Sequence, residues 1–267
     1  MGWRSGSVQF VYFHGQPGGP AEARFLAAQP LSRADVYLPD RCRERPDLAM
    51  APYFDVLATA VLDRYPAGPV RLIGFSMGAF VAIEVGFRLA TRAPDRDIGL
   101  ELVSAAAPLA LGDFLPHMAG GAIFTLARDR PALFAMATRV QGLLARAAPG
   151  LLFSQLFATA AGADIDLARD PDFRAVIQTI LKLTTASGAR GYRREILAYV
   201  TQDPARLRGL NLPVRLWQGE ADNWTPPAMA AALAAALPWV QEVRHLAGLS
   251  HYSALRAALP EIAADSP

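Results

Sequence analysis

Val70-Arg71-Leu72-Ile73-Gly74-Phe75-Ser76-Met77-Gly78-Ala79-Phe80-Val81-Ala82-Ile83 is the stretch on which the reading turns. Val70–Phe75 is an apolar run of strand length, and the turn that closes it predicts a buried β-strand. From Met77 to Thr91 apolar residues recur at helical spacing, so a helix follows at once. Ser76 then occupies a tight strand-to-helix turn. A nucleophile held there sits in a strained backbone conformation and needs small neighbours two residues to either side. Gly74 and Gly78 meet that need. The helix start at Met77 aims backbone N–H groups at negative charge developing beside Ser76 Oγ. G-x-S-x-G alone arises by chance in roughly one chain in twenty at this glycine and serine content. Its position between a strand and a helix is what gives it meaning.

Outward from this turn the chain alternates. Val8–Phe13 reads as a buried strand ending at His14-Gly15, and Pro20–Leu26 has the start and periodicity of a helix. Asp35–Leu38 fits a short strand, Leu48–Tyr65 a helix stopped by Pro66-Ala67-Gly68-Pro69, and Ile98–Ser104 the next strand. Strand, helix, strand in this order predicts an α/β fold whose sheet is mostly parallel, with helices on both faces. From Pro108 to about Leu210 the strand signal vanishes, and helical patterns are punctuated by Pro116, Gly120-Gly121, Pro131, Pro149-Gly150, Pro171 and Gly188. Strands return at Val214–Trp217 and Gln241–Leu246, each followed by a helical segment. The expected organisation is a sheet domain of residues 1–107 and 211–267, of about six strands, with residues 108–210 as a helical insertion.

Composition narrows the class of function. Hydrophobic residues make up 52% and charged residues 19% of 267, which supports a sizeable core and argues against disorder. The net charge of +2 comes without any run of Lys or Arg, and Lys182 is the only lysine, so no footprint for nucleic acid is present. Cys42 stands alone, which rules out an intramolecular disulfide and a cysteine-based metal framework. The opening MGWRSGSVQFVYFHG has no stretch apolar enough for a signal peptide, and 142–162 is broken by Arg146, Pro149 and Gly150. A cytoplasmic, soluble protein acting on a small molecule is expected, with no membrane partner. No metal motif and no dinucleotide fingerprint occur, so no cofactor is expected; the oligomeric state stays open.

Three further segments, taken with the turn at Ser76, make most of the chain resemble the α/β-hydrolase superfamily. His14-Gly15-Gln16-Pro17-Gly18-Gly19 is similar to that family's oxyanion loop in its H-G-x-P-G-G form. The resemblance implies that Gln16 N–H and Met77 N–H donate to the oxyanion, at about 3 kcal/mol each. Gly15 supports the loop, and the His14 ring reads as bracing it, with contact to substrate as the alternative. Trp217-Gln218-Gly219-Glu220-Ala221-Asp222-Asn223-Trp224-Thr225-Pro226 resembles the acid loop G-x-x-D-x-x-x-P and implies Asp222 as the acid, with Glu220 as its competitor two residues away. Ala247-Gly248-Leu249-Ser250-His251-Tyr252 resembles the terminal histidine loop and implies His251 as general base. His245, inside the last strand run, is the alternative, and His117 falls in the insertion. The order Ser, Asp, His is the order this superfamily uses.

Some features depart from the pattern. The usual hairpin before the first strand is expected to be absent, and about six strands are expected in place of the common eight. Leu38-Pro39-Asp40-Arg41-Cys42-Arg43-Glu44-Arg45 stands where a D-x-x-G-x-G turn is frequent and is loosely similar to the P-G-R-x-x-R loop of editing thioesterases. These departures bear on substrate and leave the serine untouched. The resemblance implies that the 108–210 insertion is a helical cap over the active site. Most of its Phe, Leu and Met residues are expected to pack onto the core, and a pocket lined by the rest is apolar. Arg128, Arg130, Arg190, Arg193 and Arg194 read as solvated surface or as contacts for a substrate anion.

The implied activity is hydrolysis of a carboxylic ester or thioester of a small to medium hydrophobic substrate. Three alternatives remain. One is an amidase like the proline iminopeptidases, whose elbow usually reads G-G-S-W-G. The others are a C–C bond hydrolase or lyase on the same triad, and a ligand-binding protein without catalysis. Haloalkane dehalogenases and epoxide hydrolases share the H-G-x-P loop but need an Asp nucleophile, which Ser76 is not.

Overall fold

The computed structural model describes residues 8–27, 31 and 35–264. The first seven residues, part of the stretch searched for a leader, lie outside them. β1 (Gln9–Phe13), α1 (Ala23–Ala27), β2 (Val36–Tyr37), α2 (Met50–Arg64), β3 (Val70–Phe75), α3 (Gly78–Arg92) and β4 (Ile98–Val103) follow the expected alternation. The helix expected over 20–26 is split, because Pro20–Glu22 forms a 3-10 turn, closed by Glu22 N–H on Gly19 O, before α1 begins.

Helices α4 (Gly121–Asp129), α5 (Pro131–Ala147), α6 (Pro149–Leu156), α7 (Asp164–Leu167), α8 (Pro171–Thr184) and α9 (Arg190–Val200) fill the long stretch after β4, with 3-10 turns and no strand. β5 (Val214–Gly219), α10 (Pro227–Ala236), β6 (Val240–Leu246) and α11 (His251–Ala264) complete the fold. None of the helices described is long and apolar enough to cross a membrane.

The six strands form one parallel sheet in the order β2-β1-β3-β4-β5-β6. Parallel pairing buries both faces, and β3 and β4 are buried at every position. Successive side chains go to opposite faces. Val11 and Phe13 of β1 and Leu72 of β3 join the core under α2 and α3. Phe10 and Tyr12 of β1 and Ile73 and Phe75 of β3 join the core under α8 and α11. β6 is one of the two edge strands, partly exposed along its length, and His245 on it is exposed.

The chain runs from β1 out to β2 and returns on the other side of β1 as β3. The strand order therefore reverses between β1 and β3, and ligands of open α/β sheets sit outside the carboxyl ends of the strands at such a point. Phe13 lies opposite Gly74, so the loop after β1 and the turn after β3 emerge side by side.

Candidate active site

Ser76 has φ 55°, in the left-handed region that a serine adopts only under constraint. Packing supplies the constraint. A Cβ on Gly78 would lie 1.9 Å from Phe13 O, and one on Gly74 would lie 2.7 Å from Ala79 Cα, so both glycines are required by close approach of backbone. Ser76 N–H donates to Val103 O (3.0 Å), and Ser76 O accepts from Ala106 N–H (3.1 Å). The turn is thus clamped onto the end of β4, and only 7% of the serine is exposed.

Asp222 and His251 come together from the ends of β5 and β6. His251 Nδ1 lies 2.9 Å from Asp222 Oδ2, with the two residues 2% and 3% exposed. The carboxylate can only accept, so Nδ1 carries the proton. Asp222 Oδ1 accepts from Trp224 N–H (2.8 Å) and Thr225 N–H (3.0 Å). Burial pushes the Asp222 carboxyl up, but the charge of His251 and the hydrogen bonds from His251 and Thr225 outweigh it and hold the carboxyl below its usual value. The Thr225 hydroxyl lies 2.9 Å from both Asp222 Oδ2 and Ser104 O, with one proton to share between them, and 3.3 Å from His251 Nδ1. The imidazole is stacked on Trp224 (5.4 Å, 13°) and lies 4.7 Å from the Phe75 ring, centroid to centroid. Those two rings set its plane. Among the described residues no hydrogen bond joins the Ser76 hydroxyl to the imidazole.

Of the competing residues, Glu220 and His117 are exposed, and neither they nor His245 join this group. The structure therefore gathers Ser76, Asp222 and His251 at the carboxyl end of the sheet and leaves the three alternatives outside.

The loop after β1 is built on two successive peptide units. His14 O accepts from Arg41 Nη2 (2.6 Å), and Gly15 O accepts from the His14 ring at Nδ1 (2.7 Å). Burial, then the nearby Arg41 charge, lower the basicity of His14, so its ring is neutral with Nε2 buried and unpartnered. Beneath the loop, Glu22 is buried and accepts from the Tyr12 hydroxyl at Oε2 (2.6 Å). Burial raises its carboxyl to about 8, despite the Tyr12 hydrogen bond and the Arg41 charge. The Gln16 side chain turns to Cys42 Sγ (3.5 Å).

Gln16, Ser76 and Met77 face a cavity of about 120 Å³ whose walls include Phe124, Leu152, Leu156, Leu181 and Ile196. Its lining is largely apolar, and the stretch between β4 and β5, helices and connecting turns together, contributes most of it. The arginines weighed from sequence are absent from these walls.

Three supporting groups escaped the sequence reading. Thr225 bridges acid and base; the run Asp222-x-x-Thr225, where the acid caps the N–H three residues on, was its only local signal. Asp164, fully buried on α7, accepts from Tyr252 N–H (3.0 Å) and Ser253 N–H (2.7 Å) at the start of the helix that His251 opens. A carboxylate is favoured at a helix N-terminus, but nothing local links 164 to 252. Arg41 pairs with Glu195, 154 residues away, and that contact is equally invisible in sequence.

A parallel sheet carrying a strained serine after its third strand, with an Asp–His pair after its last two, defines the α/β-hydrolase class. A family model described as the alpha/beta hydrolase family matches residues 10–264, and the chain belongs to that family. Among solved structures the chain is similar to a thermophilic esterase from Thermogutta terrifontis (19% identity, TM-score 0.64, covering 98% of this chain and 91% of that one). It is also similar to the enol-lactonase from Burkholderia xenovorans LB400 (19%, 0.62, 98% and 91%). A third is the RedJ thioesterase of the prodiginine pathway in Streptomyces coelicolor (19%, 0.57, 97% and 86%). At these identities the likeness is one of fold. No curated protein matches the sequence.

Proposed function

We propose that the protein is a serine hydrolase that cleaves a carboxylic ester or thioester of a small to medium hydrophobic substrate through an acyl-enzyme on Ser76. The observation that carries this reading is the buried Asp222–His251 pair, 2.9 Å apart, at the same end of the sheet as the strained Ser76 and its apolar cavity. His251 takes the Ser76 proton through Nε2 as Oγ attacks the carbonyl carbon, and Asp222 stabilises the imidazolium and keeps its tautomer. The oxyanion is held by the N–H groups of Gln16 and Met77. His251 then protonates the leaving group, and water enters by the same route to release the acid.

Residues 108–210 act as the cap, and their aliphatic and aromatic walls take the acyl group. The neighbours named above, an esterase, a lactonase and a thioesterase, share the fold on which this reading is built.

The test is labelling with a fluorophosphonate probe followed by peptide mapping. Wild type should carry the adduct on Ser76, and Ser76→Ala should lose both adduct and turnover, by several orders of magnitude in kcat. Full activity in Ser76→Ala refutes the proposal. Rates on p-nitrophenyl butyrate and on a butyryl thioester then separate the two substrate classes.

A further inference from the structure

Arg41 and Glu195 are both fully buried and form a two-pronged ion pair, with Nη2 to Oε1 at 2.8 Å and Nε to Oε2 at 3.1 Å. Burying two charges is costly, and such a pair is weak evidence of stabilisation. Its location says more. The same Nη2 donates to His14 O (2.6 Å), on the peptide unit just before the one that bears the Gln16 N–H. That next unit is held at its own oxygen, Gly15 O, by the His14 ring. A trans peptide is planar, with its C=O and N–H pointing in opposite directions. Fixing Gly15 O therefore fixes the direction of the Gln16 N–H. Arg41 holds the first plane and His14 the second.

The other end of the tether lies on α9. Glu195 shares that helix with Tyr192 and Ile196, which line the cavity. Backbone contacts reinforce the link, since Arg194 donates to Arg41 O (3.1 Å) and Arg45 O (2.6 Å).

We infer that Arg41 and Glu195 are positioning residues for acyl transfer: their ion pair ties the loop that presents the Gln16 N–H to the helix that lines the acyl cavity. This rests on the hydrolase reading above. Neither side chain touches the substrate. They act by keeping one oxyanion donor in place before the carbonyl arrives, and misplacing such a donor by about 1 Å costs on the order of 100-fold in rate.

The experiment compares wild type, Ser76→Ala, Arg41→Lys and the double variant Arg41→Met with Glu195→Leu. Replacing both charges by apolar side chains of similar size is often neutral or stabilising, which offsets the lost donor to His14 O, so the double variant should fold and melt near the wild-type temperature. Its kcat on p-nitrophenyl butyrate should fall about 100-fold with KM little changed, a split that a merely structural pair does not produce. It should also discriminate less than wild type between an oxygen ester and the matching thionoester, whose sulfur accepts hydrogen bonds poorly. Arg41→Lys keeps the charge but not the fork, and should lose about tenfold in kcat at unchanged KM. That variant decides the matter if the double variant does not fold.

A folded variant with wild-type kcat and wild-type thionoester discrimination overturns the inference while Ser76 still takes the fluorophosphonate label. A wild type without that label overturns the hydrolase reading itself.

Discussion

Replacing Glu22 by Gln should change how the protein's stability depends on pH, and the size of the change follows from the site. The carboxyl is buried among Tyr12, His14 and Gly18, and it holds its proton up to about pH 8, against 4.5 for an ordinary glutamate. Between those values the folded chain keeps a proton that the unfolded chain has lost. Stability therefore falls as pH rises, by about 1.4 kcal/mol per pH unit from this group alone. The stabilising contribution is complete below pH 4.5 and is gone above pH 8, a span on the order of 5 kcal/mol as a ceiling. Glutamine has the same shape, accepts from the Tyr12 hydroxyl through Oε1 and does not titrate.

Relative to wild type, Glu22→Gln should be level at pH 4.5 and more stable by about 3 kcal/mol at pH 7. Above pH 8 the difference should stop growing. Urea unfolding followed by circular dichroism at pH 5, 6, 7, 8 and 9 measures it directly. Two parallel pH profiles would refute the reasoning. A less stable Glu22→Gln at pH 8 would show instead that the carboxylate is ionised against Arg41.

Further expectations concern the site. His251→Ala should reduce kcat about as far as Ser76→Ala, whereas His245→Ala, on the exposed edge strand, should stay near wild type; steady-state kinetics distinguish them, and the opposite pattern exchanges their roles. Asp222→Asn should cost on the order of 10⁴-fold in kcat by disturbing the imidazole tautomer, while Glu220→Gln should be mild, and equal losses would leave the acid unassigned. Gly78→Ala places a Cβ 1.9 Å from Phe13 O, so it should fail to give soluble folded protein, as judged by expression and gel filtration.

The sheet was legible because its strands are short, apolar and separated by helices with clear stops. Val70–Phe75 was bounded to the residue by Gly68-Pro69 before it and the glycine-flanked serine after it. β5 ran two residues past its expected end, to Gly219, because Gln218 is buried and polar and gives no apolar signal. The turn at Ser76 was readable for a local reason, since steric demand at two fixed offsets selects glycine. Bringing Asp222 to His251 needs strand order, which periodicity does not encode, and only the resemblance supplied that pairing in advance. Asp164, Arg41 and Glu195 act through contacts between distant segments, and no spacing rule announces such contacts. Nothing in the sequence around Glu22 marks its carboxyl as buried, because burial belongs to the assembled fold.

The carboxylate of Asp164 has a consequence for how this scaffold can diversify. It belongs to the stretch between β4 and β5, yet it holds the first turn of the helix that begins with His251. Grafting a foreign stretch of the same length in its place would release that turn, whatever walls the newcomer offered to a ligand. The stretch is therefore not an interchangeable module. New specificities should arise by single replacements at wall positions such as Leu152, Leu156 and Ile196, with the acidic anchor kept, and a recombination library that crosses over on both sides of residue 164 should yield mostly inactive chimeras.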